Sequence, residues 1–120
     1  MRNFTEHKPT ILIMTQNGEL ESHWSQVLFG MEEEGIPYQI KKGKADYSIE
    51  EQAYEAAHQS ALAVGIASTN EEIVVHYKNL SKQQPLFRKA YHDVTNPFQL
   101  RNIGCNAARL VKGIPFKINE

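Results

Sequence analysis

The stretch Ala61-Leu62-Ala63-Val64-Gly65-Ile66-Ala67-Ser68-Thr69-Asn70-Glu71-Glu72-Ile73-Val74-Val75-His76-Tyr77 holds two apolar runs separated by the five polar residues Ser68 to Glu72. Short apolar runs bounded by polar turn residues predict strands. Joining two parallel strands takes a crossover of a dozen or more residues, so a gap this short predicts an antiparallel hairpin.

Outside the hairpin, strand and helix patterns alternate. Ile11 to Met14 is an apolar run that predicts a buried strand. After Thr15-Gln16-Asn17-Gly18, the residues Leu20, Trp24, Val27, Leu28 and Met31 fall at helical spacing. Gly35 and Pro37 predict the stop of that helix. Tyr38-Gln39-Ile40 predicts a second strand. Ser48 with Glu51 makes a capping box for a helix through Ala53, Ala56 and Ala57. Downstream of the hairpin, Leu86 to Tyr91 predicts a fifth strand. Asn96 as N-cap, Pro97 as first helical residue and Gln99 predict a last helix that runs to Gly113. This order predicts an α/β fold, a three-layer α/β/α sandwich with a mostly parallel sheet of about five strands, one of them antiparallel. Residues 1–9, MRNFTEHKP, are polar and end in proline, and are expected to form a flexible lead before a single domain at 10–120.

The composition narrows the classes of function. In 120 residues with 41% hydrophobic side chains, 13 basic against 14 acidic groups leave a net charge of −1. No overall basic field therefore exists to hold nucleic acid or an anionic membrane. The single cysteine, Cys105, has no partner for an intramolecular disulfide, and the first twenty residues lack the apolar run of a signal peptide or membrane span. The expected compartment is the cytoplasm.

Catalytic signals are missing. The loop Thr15 to Glu19, which follows the first strand, carries neither GxGxxG nor GxxxxGK[ST], so no phosphate cradle is signalled. Asp46 and Asp93 lie far apart in the sequence. Cys105 sits mid-helix with no base at recognisable spacing and is expected to pack. His7, His23, His58, His76 and His92 lack HxxxH or HxH spacing. No catalytic and no cofactor-binding residue is expected. The segment His76-Tyr77-Lys78-Asn79 leaves the hairpin in an exposed position, either as an interaction edge or as a solvated strand end.

One acidic run stands out, Gly30-Met31-Glu32-Glu33-Glu34-Gly35-Ile36-Pro37-Tyr38. Carboxylates at a helix C-terminus oppose the helix dipole by roughly 0.3–1 kcal/mol each. With Trp24 at the centre of the buried stripe, Glu32 and Glu34 flank it at roughly 80°, and Glu33 lies near 180°, aimed straight outward. It is either an ordinary solvated charge or a carboxylate presented to a cation or to a basic residue of a partner. On the last helix Arg101, Arg109 and Lys112 oppose the apolar stripe, with Asn102 and Asn106 beside them. The dipole alone explains Arg109 and Lys112, and a basic docking face is the alternative.

Four segments, GMEEEGIPY (30–38), LAVGIAS (62–68), IVVHYKNLSKQQPLF (73–87) and RNIGCNAARLVKGIPF (101–116), together resemble the small (beta) subunit of the diol/glycerol dehydratase reactivase, the reactivating factor of adenosylcobalamin-dependent dehydratases. The resemblance covers most of the chain from residue 11 onward. It implies a non-catalytic accessory subunit with a fold like the dehydratase beta subunit, which is anticodon-binding-domain-like. The partner would be a large subunit that binds ATP or ADP and hydrolyses ATP, in a hetero-oligomer of two large and two small subunits. Transient exchange with dehydratase subunits would release damaged cobalamin. The setting would be the cytoplasm, with association with a bacterial microcompartment, and the isolated chain is expected to form a homodimer. The resemblance also makes Glu33 a ligand, in trans, of Mg²⁺ or another divalent metal at the large-subunit interface. Glu32, Glu34, His76 and Lys78 are the further expected partner contacts. The alternatives are a subunit of the dehydratase itself and a free-standing flavodoxin-like small-molecule-binding domain. Whether glycerol or 1,2-propanediol is the substrate of the served enzyme is left open.

Overall fold

A computed structural model of the protein describes residues 9–20 and 24–117. Its elements are β1 (Ile11–Thr15), α1 (Trp24–Glu33), β2 (Tyr38–Lys42), α2 (Ile49–Gln59), β3 (Val64–Ser68), β4 (Glu72–Tyr77), β5 (Phe87–Ala90) and α3 (Pro97–Lys112), with a 3-10 turn at Tyr91–Asp93 before α3. Of the expected lead, residues 1–8 lie outside the described residues, as do His7 and His23.

The five strands form one mixed sheet in the order β2-β1-β3-β4-β5. β1 pairs in parallel with β2 and β3, while β3–β4 and β4–β5 are antiparallel. β4 alone therefore runs against the other four strands. The β3–β4 connection is the expected hairpin. Its turn is closed by Thr69, whose hydroxyl accepts from the N–H groups of Glu71 and Glu72, a local bond that favours turns over regular structure.

Strand residues alternate between two sets of partners, as a period of two requires. Ile11, Ile13, Val64, Ile66, Ile73 and Val75 share a core with Trp24, Val27 and Met31 of α1 and with Leu100, Ile103 and Ala107 of α3. The alternate residues meet α2: Ala67 and Val74 pack with Ile49 and Ala53, and Leu12 and Met14 with Ala56. A Cβ on Gly65 would collide with the α2 backbone at Ala53 and Ala57, so β3 and α2 approach closely only because residue 65 is glycine.

The helix ends follow local chemistry. Ser48 and Glu51 form a reciprocal capping box on α2. Asn96 caps α3 by accepting from the N–H of Phe98, and Pro97 follows it as expected. Gln99 differs in detail: its side chain accepts from the N–H of Thr95, one residue before the cap. Gly113 ends α3 in the left-handed conformation at φ 70.

α1 and α3 cross with their backbones almost in contact. A Cβ on Gly104 would strike the carbonyl of Val27, and one on Gly30 would strike the carbonyl of Arg101. Gly→Ala inside an exposed helix normally stabilises by about 0.8–1.0 kcal/mol. Gly104→Ala is expected to do the opposite and destabilise by about 1–3 kcal/mol through overpacking. Urea unfolding measures this, and an unchanged or raised midpoint contradicts the close crossing.

Candidate functional site

The acidic turn lies where α1 ends against α3. After Glu33 the chain makes a tight turn in which the N–H of Gly35 donates to the carbonyl of Glu32 at 3.0 Å, and Gly35 itself sits at φ 76. The three carboxylates take different positions there.

Glu34 is the most enclosed, with its side chain 11% exposed. One oxygen accepts from Arg109 Nε at 2.9 Å and the other from Lys112 Nζ at 2.7 Å. Lys112 Nζ also donates to the Glu34 backbone carbonyl at 2.9 Å, which satisfies an acceptor that a helix end leaves unpaired. The hydrogen bond from Lys112, then that from Arg109, holds the Glu34 carboxyl below its ordinary value against the opposing effect of burial. Two cations from α3 thus offset the unfavourable charge at the end of α1.

Glu33 does not point straight outward as the helix arithmetic predicts. It leans onto α3, where Oε2 lies 3.4 Å from Arg101 Nη1 and Oε1 accepts from the Cys105 thiol at 3.3 Å. Lys117 Nζ stands 3.9 Å from Oε1. The rotation is centred on Trp24, whereas α3 also lies alongside α1 and meets it at Gly30. Glu33 is nonetheless 44% exposed and its contacts are long. Glu32 is exposed.

The expected basic face of α3 is engaged within the chain, because Arg109 and Lys112 hold Glu34 and Arg101 faces Glu33. The Arg101 guanidinium also lies 5.8 Å from the ring centres of both Phe29 and Phe98. These rings are 45% and 63% exposed, so two exposed aromatic rings flank the guanidinium that faces Glu33. Sequence reading missed that pair, since Phe29 and Phe98 are nearly seventy residues apart.

Cys105 is buried, and burial, followed by the hydrogen bond to Glu33, pushes its thiol up. Its thiol serves as the donor to Glu33 Oε1. Asn106, expected near the outer cations, is buried instead. Its amide donates to the Lys117 carbonyl at 3.0 Å and accepts from the Lys117 N–H at 2.6 Å, which ties the segment after α3 back onto the helix.

His76 corrects a second expectation. It is fully buried rather than exposed at a partner edge. It lies on the α2 face of the sheet, with its ring centre 5.3 Å from that of Tyr54 and Nε2 3.2 Å from the carbonyl of Lys82. The chain after β4 folds back over it, and β5 covers the side of β4 that a hairpin alone would leave open. Lys78 is exposed. Among the described residues no group of three or more His, Cys, Asp or Glu side chains converges as a metal cage, and no helix is long and apolar enough to cross a membrane.

The family model described as dehydratase medium subunit matches residues 8–117. A propanediol dehydratase-reactivating factor small subunit from Salmonella typhimurium is 43% identical over 113 residues, covering 94% of this chain and 95% of that one. The chain belongs to the family of dehydratase-reactivating factor small subunits. A diol dehydratase-reactivating factor small subunit from Klebsiella michiganensis is 44% identical, over 96% of this chain and 89% of its own. The reactivating-factor fold has also been solved. A diol dehydratase-reactivating factor complexed with ADP and Mg²⁺ superposes with a TM-score of 0.82 at 44% identity, over 92% of this chain and 98% of the other. A glycerol dehydratase reactivase gives 0.82 at 27% identity, over 92% and 97%.

Because the folded-state value of Glu34 is lowered, its ion pairs stabilise the fold above the ordinary value of 4.5 and are lost as pH falls through the lowered one. Glu34→Gln is expected to cost about 1.5–3 kcal/mol at neutral pH, the usual worth of hydrogen bonds to a charged group. It should also show a shallower loss of stability in acid than the wild type. Urea unfolding at neutral pH and in acid reads both, and equal stabilities at neutral pH contradict the arrangement.

Proposed function

We propose that this chain is the non-catalytic small subunit of a chaperone-like reactivase that helps to free damaged cobalamin from an inactivated diol or glycerol dehydratase. The observation that carries the reading is the match, over 98% of its length, to a chain of a reactivating factor solved with ADP and Mg²⁺. In this reading a large subunit binds ATP or ADP and performs the hydrolysis, and two large and two small subunits assemble. A three-layer fold akin to the dehydratase beta subunit, anticodon-binding-domain-like, would let the small subunit exchange transiently with dehydratase subunits. The complex would work in the cytoplasm, in association with a bacterial microcompartment, and the free small subunit would cover its docking surface by dimerising.

Glu33 is the residue assigned to the large-subunit interface as a ligand of Mg²⁺ or a similar divalent ion. Glu34 is occupied by Arg109 and Lys112, whereas Glu33 is 44% exposed and held only by contacts of 3.3 to 3.9 Å. A carboxylate oxygen is the hard donor that Mg²⁺ takes, and the ion keeps waters and needs ligands beyond a single side chain. The others would come from the large subunit. Glu32 and Lys78, both exposed, remain as flanking contacts. His76 is buried and offers no side chain to a partner.

One observation favours a second reading. The family model is described as dehydratase medium subunit, which fits a subunit of the dehydratase itself. Co-purification of cobalamin-binding activity with the chain would favour that reading. The flavodoxin-like alternative shares the strand order 2-1-3-4-5, but the reversed β4 departs from an all-parallel sheet.

Native mass spectrometry of the chain mixed with its large subunit, Mg²⁺ and ADP tests the proposal. A mixed complex is expected for wild type, and a weaker or metal-free one for Glu33→Gln. No mixed complex with wild type under any nucleotide condition contradicts the reactivase reading. A Glu33→Gln complex with unchanged strength and metal content contradicts the ligand role alone.

A further inference from the structure

A cavity of about 330 Å³ opens between α3, the β4–β5 pair and the segment after α3. The strand register explains its walls. Phe87 stands opposite Val75 and Lys89 opposite Ile73, and directly paired residues share a face. Phe87 and Lys89 therefore lie on the side of the sheet that α3 covers. Ile103 from α3 and Phe116 from the following segment complete the apolar lining. Phe116 meets Phe87 edge to face, with ring centres 5.1 Å apart. The Asn106 clamp on the Lys117 backbone holds this segment in place.

The charge around the cavity is of one sign. Its lining includes Lys89 and Lys117 and no carboxylate, in a chain whose net charge is −1; Arg88 also borders it but, opposite Val74, turns its side chain to the other face of the sheet. Arg88 is engaged by Glu50 and Glu72 at 2.7 and 2.8 Å, and Lys117 stands 3.9 Å from Glu33. Lys89 forms no ion pair among the described residues and is only partly exposed. An apolar hollow with one unpaired ammonium at its wall complements a molecule with an apolar body and one negative head. Ligand pockets span roughly 300–1,000 Å³, so this one takes a small occupant.

We propose that this cavity is a binding site for a small amphiphilic carboxylate, with its chain between Phe87 and Ile103 and its head at Lys89. The proposal does not rest on the partner reading.

Amide NMR titration of the full chain with hexanoate, hexan-1-ol and acetate tests it, alongside Lys89→Gln. Hexanoate should saturate, with shifts centred on Phe87, Ile103 and Phe116. Hexanol, which lacks the charge, and acetate, which lacks the chain, should each bind about tenfold more weakly or worse. Lys89→Gln should weaken hexanoate about tenfold and leave hexanol unchanged, and the retained hexanol binding also reports that the variant is folded. Four outcomes overturn the proposal: no saturable hexanoate shifts, shifts centred elsewhere, hexanol binding as tightly as hexanoate, or full hexanoate affinity in folded Lys89→Gln.

Discussion

Gly30 and Gly104 lie where α1 crosses α3, and the absence of side chains at both positions lets the two helix backbones touch. A methyl group at either would strike a carbonyl of the other helix, and carbonyls in regular helices cannot move aside as a flexible side chain can. The crossing sets how far the α1 C-terminus reaches along α3. It places Glu34 between Arg109 and Lys112, and Glu33 beside Arg101 and Cys105. Larger residues at the crossing would push the two helices apart and shift the end of α1 away from these cations.

The close crossing also explains how three consecutive carboxylates are tolerated at the end of a helix that has no basic residue in its own last turn. The compensating cations come from α3, and they are distributed unequally. Glu34 receives two short hydrogen bonds and is nearly enclosed, so its role is to join the helices. Glu33 keeps a large exposed fraction and long contacts, so turning it toward a partner breaks little. The exposed Phe29 and Phe98 beside Arg101 put apolar area next to that carboxylate. Aromatic and arginine side chains together are the composition in which interface energy concentrates.

Local chemistry made much of the fold legible. The short polar gap before Ile73 dictated the β3–β4 hairpin, and Ser48, Asn96, Gly35 and Gly113 marked helix ends that the structure keeps. What escaped reading depends on contacts between distant segments. Glu33 was aimed by rotation about α1 alone, and no helical wheel contains the neighbouring α3. His76 has the look of an exposed strand end until the chain through Lys82 returns over it. Asn106 carries no signal that its partner is the backbone of Lys117, and the basic residues of α3 seem free until Glu33 and Glu34 are brought to them. The EEE segment itself was visible in the sequence, while the division of labour among its members was not.

The most direct test of the account concerns the carboxylate that it leaves available. The mixed complex with the large subunit is prepared with Mn²⁺ in place of Mg²⁺ and with ¹³C-labelled small subunit, and electron-nuclear double resonance reads carbon nuclei beside the metal. A ¹³C coupling in wild type that persists in Glu32→Gln and Glu34→Gln but vanishes in Glu33→Gln is the predicted result. A coupling that survives Glu33→Gln, or none in a wild-type complex that holds Mn²⁺, would contradict the account.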